Sequence, residues 1–194
     1  MSGAPATSNV VPLFGLDTRD DDALMALART RRDAFDVLMA RHQAALLRIA
    51  ARYLGDVAAA KDACQATFLE VYRARHTYRP SGRFGVFVRR ALLNQCHMAS
   101  RRGRQVARLE ALDVSPDGPP PPDALLLAEE RRRVVQAEVS RLSEKLRAVV
   151  VLRYAGGHQL EDIAEVLEVP IGTVKSRLFA AMQALAKALP EDSR

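Results

Sequence analysis

Apolar residues recur along this chain at intervals of three and four, the spacing of one face of an α-helix. Leu160, Ile163, Ala164 and Leu167 form one such stripe, Val174, Leu178, Ala181 and Leu185 form another, and Pro170 stands between them. A proline is tolerated in the first turn of a helix, where its missing N–H would be unpaired anyway. The stretch QLEDIAEVLEVPIGTVKSRL therefore predicts a short helix, a tight break, and a second helix starting at Ile171. That is a helix-turn-helix. Thr173, Lys175, Ser176 and Arg177, which open the second helix, fall on its sides and outer face, where a helix lying in a DNA groove meets base edges and phosphates.

The same periodicity organises the rest. A short helix is predicted over residues 21–29, and a long one from Asp33 with Phe35, Leu38, Met39, His42, Leu46, Ile49, Ala50 and Tyr53 on its stripe, ended by Gly55. His42 sits on that stripe and reads as a packed side chain. A third helix covers residues 57–75, and the loop HTYRPSGR, with Pro80 and Gly82, leads to a fourth over residues 84–102. The run DVSPDGPPPPD holds five prolines and cannot continue a helix, so it is read as a linker. Beyond it come helices over residues 124–142 and 144–154, the latter capped by Ser143, and a break at Gly156 and Gly157. The expected fold class is all-α, two small four-helix domains joined by a proline-rich linker. Its boundaries are a mobile tail at 1–20, a first domain at 21–108, the linker at 109–123, and a helix-turn-helix domain at 124–190.

Composition supports helices: Ala, Leu and Arg dominate, Trp is absent, and 48% of 194 residues are apolar, enough for cores. No window approaches the roughly 18 uninterrupted apolar residues of a membrane span, and MSGAPATSNV lacks the features of a signal peptide, so a cytoplasmic location without membrane insertion is expected. Cys64 and Cys96 have no metal-ligand spacing, and Cys64 shares a stripe with Val57, Ala60 and Val71, so it is read as a core thiol. Charge is informative once located. Residues 71–109 contain ten arginines and no acidic residue, while the other residues carry 19 basic and 23 acidic groups. A solvated face mixes signs, so this block predicts a surface for a polyanion.

A four-helix domain with an arginine-rich last helix, a proline-rich linker, and a helix-turn-helix reading VPIGTVKSRL resembles the bacterial extracytoplasmic-function sigma factors, the promoter-specificity subunits of RNA polymerase. LSEKLRAVVVLRYAGG, EDIAEVLEVPIGTVKSRL and, less closely, LGDVAAAKDACQATFLEVYRAR carry the resemblance. It implies that Asp62, Gln65, Phe68, Leu69 and Val71 match the segment that docks on the β′ clamp helices of core polymerase, although at least two of Phe68, Leu69 and Val71 read as core. Ala59, Lys61 and Ala66 replace acidic family residues, and Tyr72 a Trp, which predicts weaker docking or another contact set.

It further implies that residues 76–84 and the helix after them capture unpaired bases of the downstream promoter element. Stacking plus phosphate attraction holds single strands, each stacked base being worth roughly 1–3 kcal/mol. Tyr78 is the expected exposed ring, Phe84 and Phe87 being assigned to the core. Arg79, Arg83, Arg89 and Arg90 supply charge, Asn94 aligns with a family asparagine near the bases, and Arg101, Arg102 and Arg104 are expected to hold phosphates. Leu93, Met98 and Ala99 replace positions usually polar or charged. Thr173, Lys175, Ser176 and Arg177 match the residues for the upstream, −35, element, Lys175 and Arg177 facing guanine edges or phosphates. Phe179 falls on the exposed face, toward a thymine methyl or another protein surface.

The resemblance thus implies core RNA polymerase, promoter DNA and an anti-sigma factor as partners. No catalytic residue, metal, cofactor or small-molecule substrate is expected: the four histidines are scattered, and no HExxH or glycine-rich phosphate loop is present. Two other readings compete. A stand-alone helix-turn-helix regulator would bind duplex DNA unaided as a dimer, against which stands the arginine block in the other domain. A sigma-like interaction protein without polymerase docking has only Ala59, Lys61 and Ala66 in its favour.

Overall fold

The computed structural model describes residues 15–110 and 124–188, with side chains for all of these but 104–110 and 124–129. The described residues are helical and contain no strand: α1 (Asp21–Leu27), α2 (Arg32–Leu54), α3 (Val57–Ala74), α4 (Phe84–Glu110), α5 (Ala124–Arg141), α6 (Glu144–Tyr154), α7 (Leu160–Leu167) and α8 (Ile171–Ala188). The all-α expectation holds. Asp20 and Asp56 cap α1 and α3, accepting from Ala23 N and Ala58 N at 2.7 Å each. Gly55 ends α2 in the left-handed region at φ 76°, its N–H donating to Ala51 O, as a helix-stop glycine should. Ser143 precedes α6 as expected, but its side chain makes no capping bond.

In the first group α2, α3 and α4 pack against one another and α1 lies across α2. Leu24, Met25, Leu46, Ile49, Tyr53, Val71, Val88 and Leu92 are buried there, and Cys64 and Cys96 are buried with them. Burial pushes the Cys64 thiol up to about 11 and the Cys96 thiol up to about 12. Arg41 and His42 of α2 hold Asp21 of α1, His42 Nε2 lying 2.7 Å from Asp21 Oδ2 and its ring beside Phe84. The histidine is packed, as its stripe predicts. Two boundaries shift. Leu16 is buried although it falls in the expected mobile tail, because Arg41 draws the preceding backbone in by donating to Asp17 O and Arg19 O. The fourth helix continues to Glu110, past its expected end and into the first residues assigned to the linker; residues 111–123, the linker's body, lie outside the described residues.

In the second group α6 packs on α8 and α7 on α8. Val149, Leu152, Ile163, Val166, Val174, Ala181 and Leu185 are buried, while Leu160, Ala164, Leu167 and Leu178 are partly covered. Val166, off the predicted stripe, is buried as well, and the two groups meet: α7 also contacts α4, and α5 and α6 contact α2. Arg147 anchors this junction. It is 4% exposed, donates to Ser140 O and to Leu142 O at 3.1 Å, and reaches Tyr53 O and Ser100 Oγ at 3.4 Å each. Gln136 adds a bond from its amide to Arg52 O at 2.9 Å.

Candidate nucleic-acid interface

The loop between α3 and α4 is shaped by a carboxylate more than fifty residues upstream. Asp22 accepts from Tyr78 Oη at 2.6 Å, Ser81 N at 2.5 Å and Gly82 N, while Arg29 donates to Arg75 O and Tyr78 O. Gly82 takes φ 71° to make the turn. Burial alone would raise the Asp22 carboxyl, but Tyr78 and the amides outweigh it and hold it below the usual carboxylate range. Burial, then the Asp22 bond, pushes the Tyr78 hydroxyl above its usual range. The expectation of Tyr78 as an exposed ring is corrected accordingly: it is half-buried, edge-on to Phe84 and 5.2 Å from the Phe87 ring. Phe84 is core, as expected, and Phe87 is only partly covered.

The arginines of the block divide into two sets. Arg79, Arg102 and Asn94 are exposed. Arg83 and Arg101, also exposed, and Arg89 and Arg90, half-buried, face α6 and α7. Arg90 is bonded to Glu168 Oε1 at 2.6 Å, Glu165 O at 2.8 Å and Val166 O at 3.3 Å; Arg83 lies 3.6 Å from Glu165, and Arg101 lies 3.4 Å from Glu144. Arg89 is half-buried beside His158 and Asp162; burial lowers its pKa against the pull of Asp162. In this arrangement the second group supplies partners for Arg90 and covers Arg89. The Arg104 side chain lies outside the described residues.

In the helix-turn-helix, α7 ends with Glu168 in the left-handed region at φ 53°, and Val169 N donates back to Ala164 O, so the chain reverses before α8. Lys175 and Ser176 are exposed, Thr173 and Arg177 half-buried, and Ser176 Oγ donates to Thr173 O at 3.0 Å. Phe179 is 68% exposed, as its position on the outer face predicts.

A third surface is a groove of about 590 Å³ between α2 and α3. Gln65, Phe68 and Leu69 line it with Lys61, Cys64 and Tyr72, and Arg75 stacks on Tyr72 at 3.8 Å. Phe68 and Val71 are buried and Leu69 is half exposed, so two of the three are core. Asp62 is exposed but lies outside the groove lining. Sequence reasoning missed the opposite wall, Arg32, Phe35, Asp36, Met39, Gln43 and Leu47. The signal was present in Arg32, Asp36, Met39 and Gln43, polar or flexible residues spaced four, three and four apart along one side of α2.

A helical group with an arginine-rich face, joined to a group carrying a helix-turn-helix, defines a two-part DNA-binding regulatory protein. Residues 38–106 match the family model described as Sigma-70 region 2, and residues 132–185 the one described as Sigma-70, region 4. The RNA polymerase sigma-H factor of Pseudomonas aeruginosa is 30% identical over 181 residues, covering 88% of this chain and 94% of that protein. The ECF RNA polymerase sigma-E factor of Escherichia coli K12 is 32% identical over 164 residues, covering 78% of this chain and 84% of that one.

Two solved structures share the fold at 23% identity: the sigma factor RpoE in complex with the anti-sigma factor NepR from Bartonella quintana, with a TM-score of 0.62 over 84% of this chain and 99% of that one, and CnrH in complex with the cytosolic domain of CnrY, with a TM-score of 0.61 over 87% and 96%. The chain belongs to the extracytoplasmic-function sigma factors of the sigma-70 family. It directs promoter-specific initiation of transcription. Among the described residues no helix is long and apolar enough to cross a membrane, and no group of His, Cys, Asp or Glu could hold a metal ion.

Proposed function

We propose that the two helical groups divide promoter recognition between them. The first, α1 to α4, docks on the β′ clamp helices of core RNA polymerase through Asp62, Gln65, Phe68 and Leu69 and holds the melted strand along α4. Tyr78, Arg79, Arg83, Arg89, Arg90, Asn94, Arg101 and Arg102 form that strand surface. The second group, α5 to α8, reads the upstream duplex with Thr173, Lys175, Ser176 and Arg177. The observation that carries the reading is the beginning of α8, where Lys175 and Ser176 project into solvent while Val174 anchors the helix in the core. A recognition helix needs that combination.

The acid-free run of arginines on α4 supports a polyanion surface in the other group. The α2–α3 groove presents half-exposed Leu69 beside Lys61 and Gln65, a mixed apolar and polar lining suited to a helical partner. With Ala59, Lys61 and Ala66 in place of carboxylates, docking there depends on apolar contact more than on charge. An anti-sigma factor is a further partner, since both structural neighbours are complexes, one of them with a named anti-sigma factor. The protein acts in the cytoplasm and catalyses no reaction of its own.

The test is co-elution of the purified chain with bacterial core polymerase and run-off transcription from a promoter library that core alone does not use. Arg79→Glu with Arg102→Glu should reduce promoter opening while leaving core binding intact. Lys175→Ala with Arg177→Ala should selectively weaken promoters carrying the preferred upstream element; equal loss on scrambled elements would assign both side chains to phosphate contact. Tight duplex binding without any core binding would move the chain to the stand-alone regulators.

A further inference from the structure

We propose that α1 is a splint for the loop between α3 and α4: Asp22 and Arg29 are positioning residues that fix the shape of that loop before DNA arrives, and so set how sharply it discriminates the bases of the melted downstream element. Residues 76–83 belong to no helix, and every loop residue ordered only on binding takes its lost conformational freedom out of the affinity. Here the ordering is done from outside the loop, on both of its arms. At the start of α1 the Asp22 carboxylate takes the outgoing arm, and just past the end of α1 Arg29 takes the incoming arm, donating to Arg75 O at 3.0 Å and to Tyr78 O at 2.9 Å. The splint is itself anchored. Arg41 and His42 of α2 hold Asp21, and Leu24 and Met25 are fully buried in the first core.

The chemistry at position 22 requires a carboxylate. One oxygen, Oδ1, accepts from Tyr78 Oη at 2.6 Å, while the other, Oδ2, accepts from Ser81 N at 2.5 Å and from Gly82 N. An amide side chain has a single accepting oxygen, so it would satisfy one of these sides and set its own NH2 against donors on the other. The bonds also decide which face of the loop is offered to DNA. The Ser81 and Gly82 amides are turned toward Asp22, and Tyr78 is held edge-on to Phe84, whereas His76, Arg79, Ser81 and Arg83 remain exposed. A base beside the loop therefore meets side chains whose backbone is already fixed, and discrimination by contact depends on that fixity.

The positioning stands on these bonds; its consequence for promoters rests on the reading of this loop and α4 as the strand surface. The test uses holoenzyme assembled from the full-length chain and bacterial core polymerase. Discrimination is the ratio of opening rates on the preferred downstream element and on single-base changes within it, with core affinity and the loss on scrambled upstream elements read in parallel. Asp22→Asn should lower that ratio about five-fold, the loosening of one base contact, with core affinity and the upstream loss unchanged. Arg29→Met releases the other arm and should lower the ratio in the same direction, so the prediction stands if one variant fails to fold. An unchanged ratio in the folded variants, or an equal fall in opening on every promoter, would overturn the proposal, the second result being what general destabilisation produces. In the free chain, amide hydrogen exchange at Ser81 and Gly82 should quicken about ten-fold in Asp22→Asn, beyond any change at the core amides of α2. If wild-type holoenzyme ignores the downstream bases, the strand reading falls and the exchange comparison still decides the positioning; equal exchange in both chains would overturn it.

Discussion

Replacing Arg147 by Met tests whether the junction between the helical groups is held by a buried guanidinium. Met occupies similar length and keeps apolar contact, but removes every donor. The bonds to Ser140 O and to Leu142 O at 3.1 Å are charge-assisted, and such bonds contribute roughly 1.5–3 kcal/mol each, while those to Tyr53 O and Ser100 Oγ at 3.4 Å are longer and weaker. Against this, an isolated cation no longer has to be desolvated, which returns part of the loss. The net expectation is about 3 kcal/mol of destabilisation. For a chain of this size that lowers the thermal midpoint by roughly 6–12 °C. Urea unfolding followed by far-ultraviolet circular dichroism should show the midpoint falling by about 1 M at a slope of about 3 kcal/mol per M. Arg147→Lys should not rescue it, because one ammonium cannot span acceptors on α2, α5 and the α5–α6 corner. A loss below about 1 kcal/mol would refute the argument, since it would mean that desolvating the cation costs as much as its bonds return.

Gly55→Ala should cost about 1–2 kcal/mol in the same assay, since φ is 76° and the added Cβ would meet Gln136 Nε2 at 3.3 Å. Asp22 ionises below the usual carboxylate range in the folded chain, so its contribution to stability is present above the unfolded-chain pKa and disappears as pH falls through the lowered one. Asp22→Asn should therefore be less stable at neutral pH and show a shallower loss on acidification, read from unfolding midpoints across an acid pH series. Cys64 and Cys96, with thiols near 11 and 12, should resist iodoacetamide at neutral pH and both react once urea unfolds the chain. Alkylation of either in the native chain would contradict their burial.

The helix-turn-helix was legible because each half repeats apolar residues at helical spacing and Pro170 marks the boundary between them. Gly55, the helix order and the packed state of His42 were legible for similar local reasons, and the exposure of Phe179 followed from its angle on α8. What sequence missed depends on residues far apart. Tyr78 looked like a free ring because Asp22, fifty-six positions earlier, is invisible to local spacing. The surroundings of Arg89 and Arg90 were not legible because Asp162, Glu165, Val166 and Glu168 come near them only when the two groups pack. A positive run announces an anionic ligand, but not whether the chain supplies it.

The buried Arg147 has one more implication, for connectivity. Its guanidinium reaches carbonyls on both sides of the junction, so separating the groups would exchange its bond to Tyr53 O for water and uncover the surface packed around it. Besides the covalent link between Glu110 and Ala124, the halves are held by packing of α2 on α5 and α6 and of α4 on α7. A protease that cuts there would leave a non-covalent heterodimer of fragments, bound face to face until a competing surface takes one of them away.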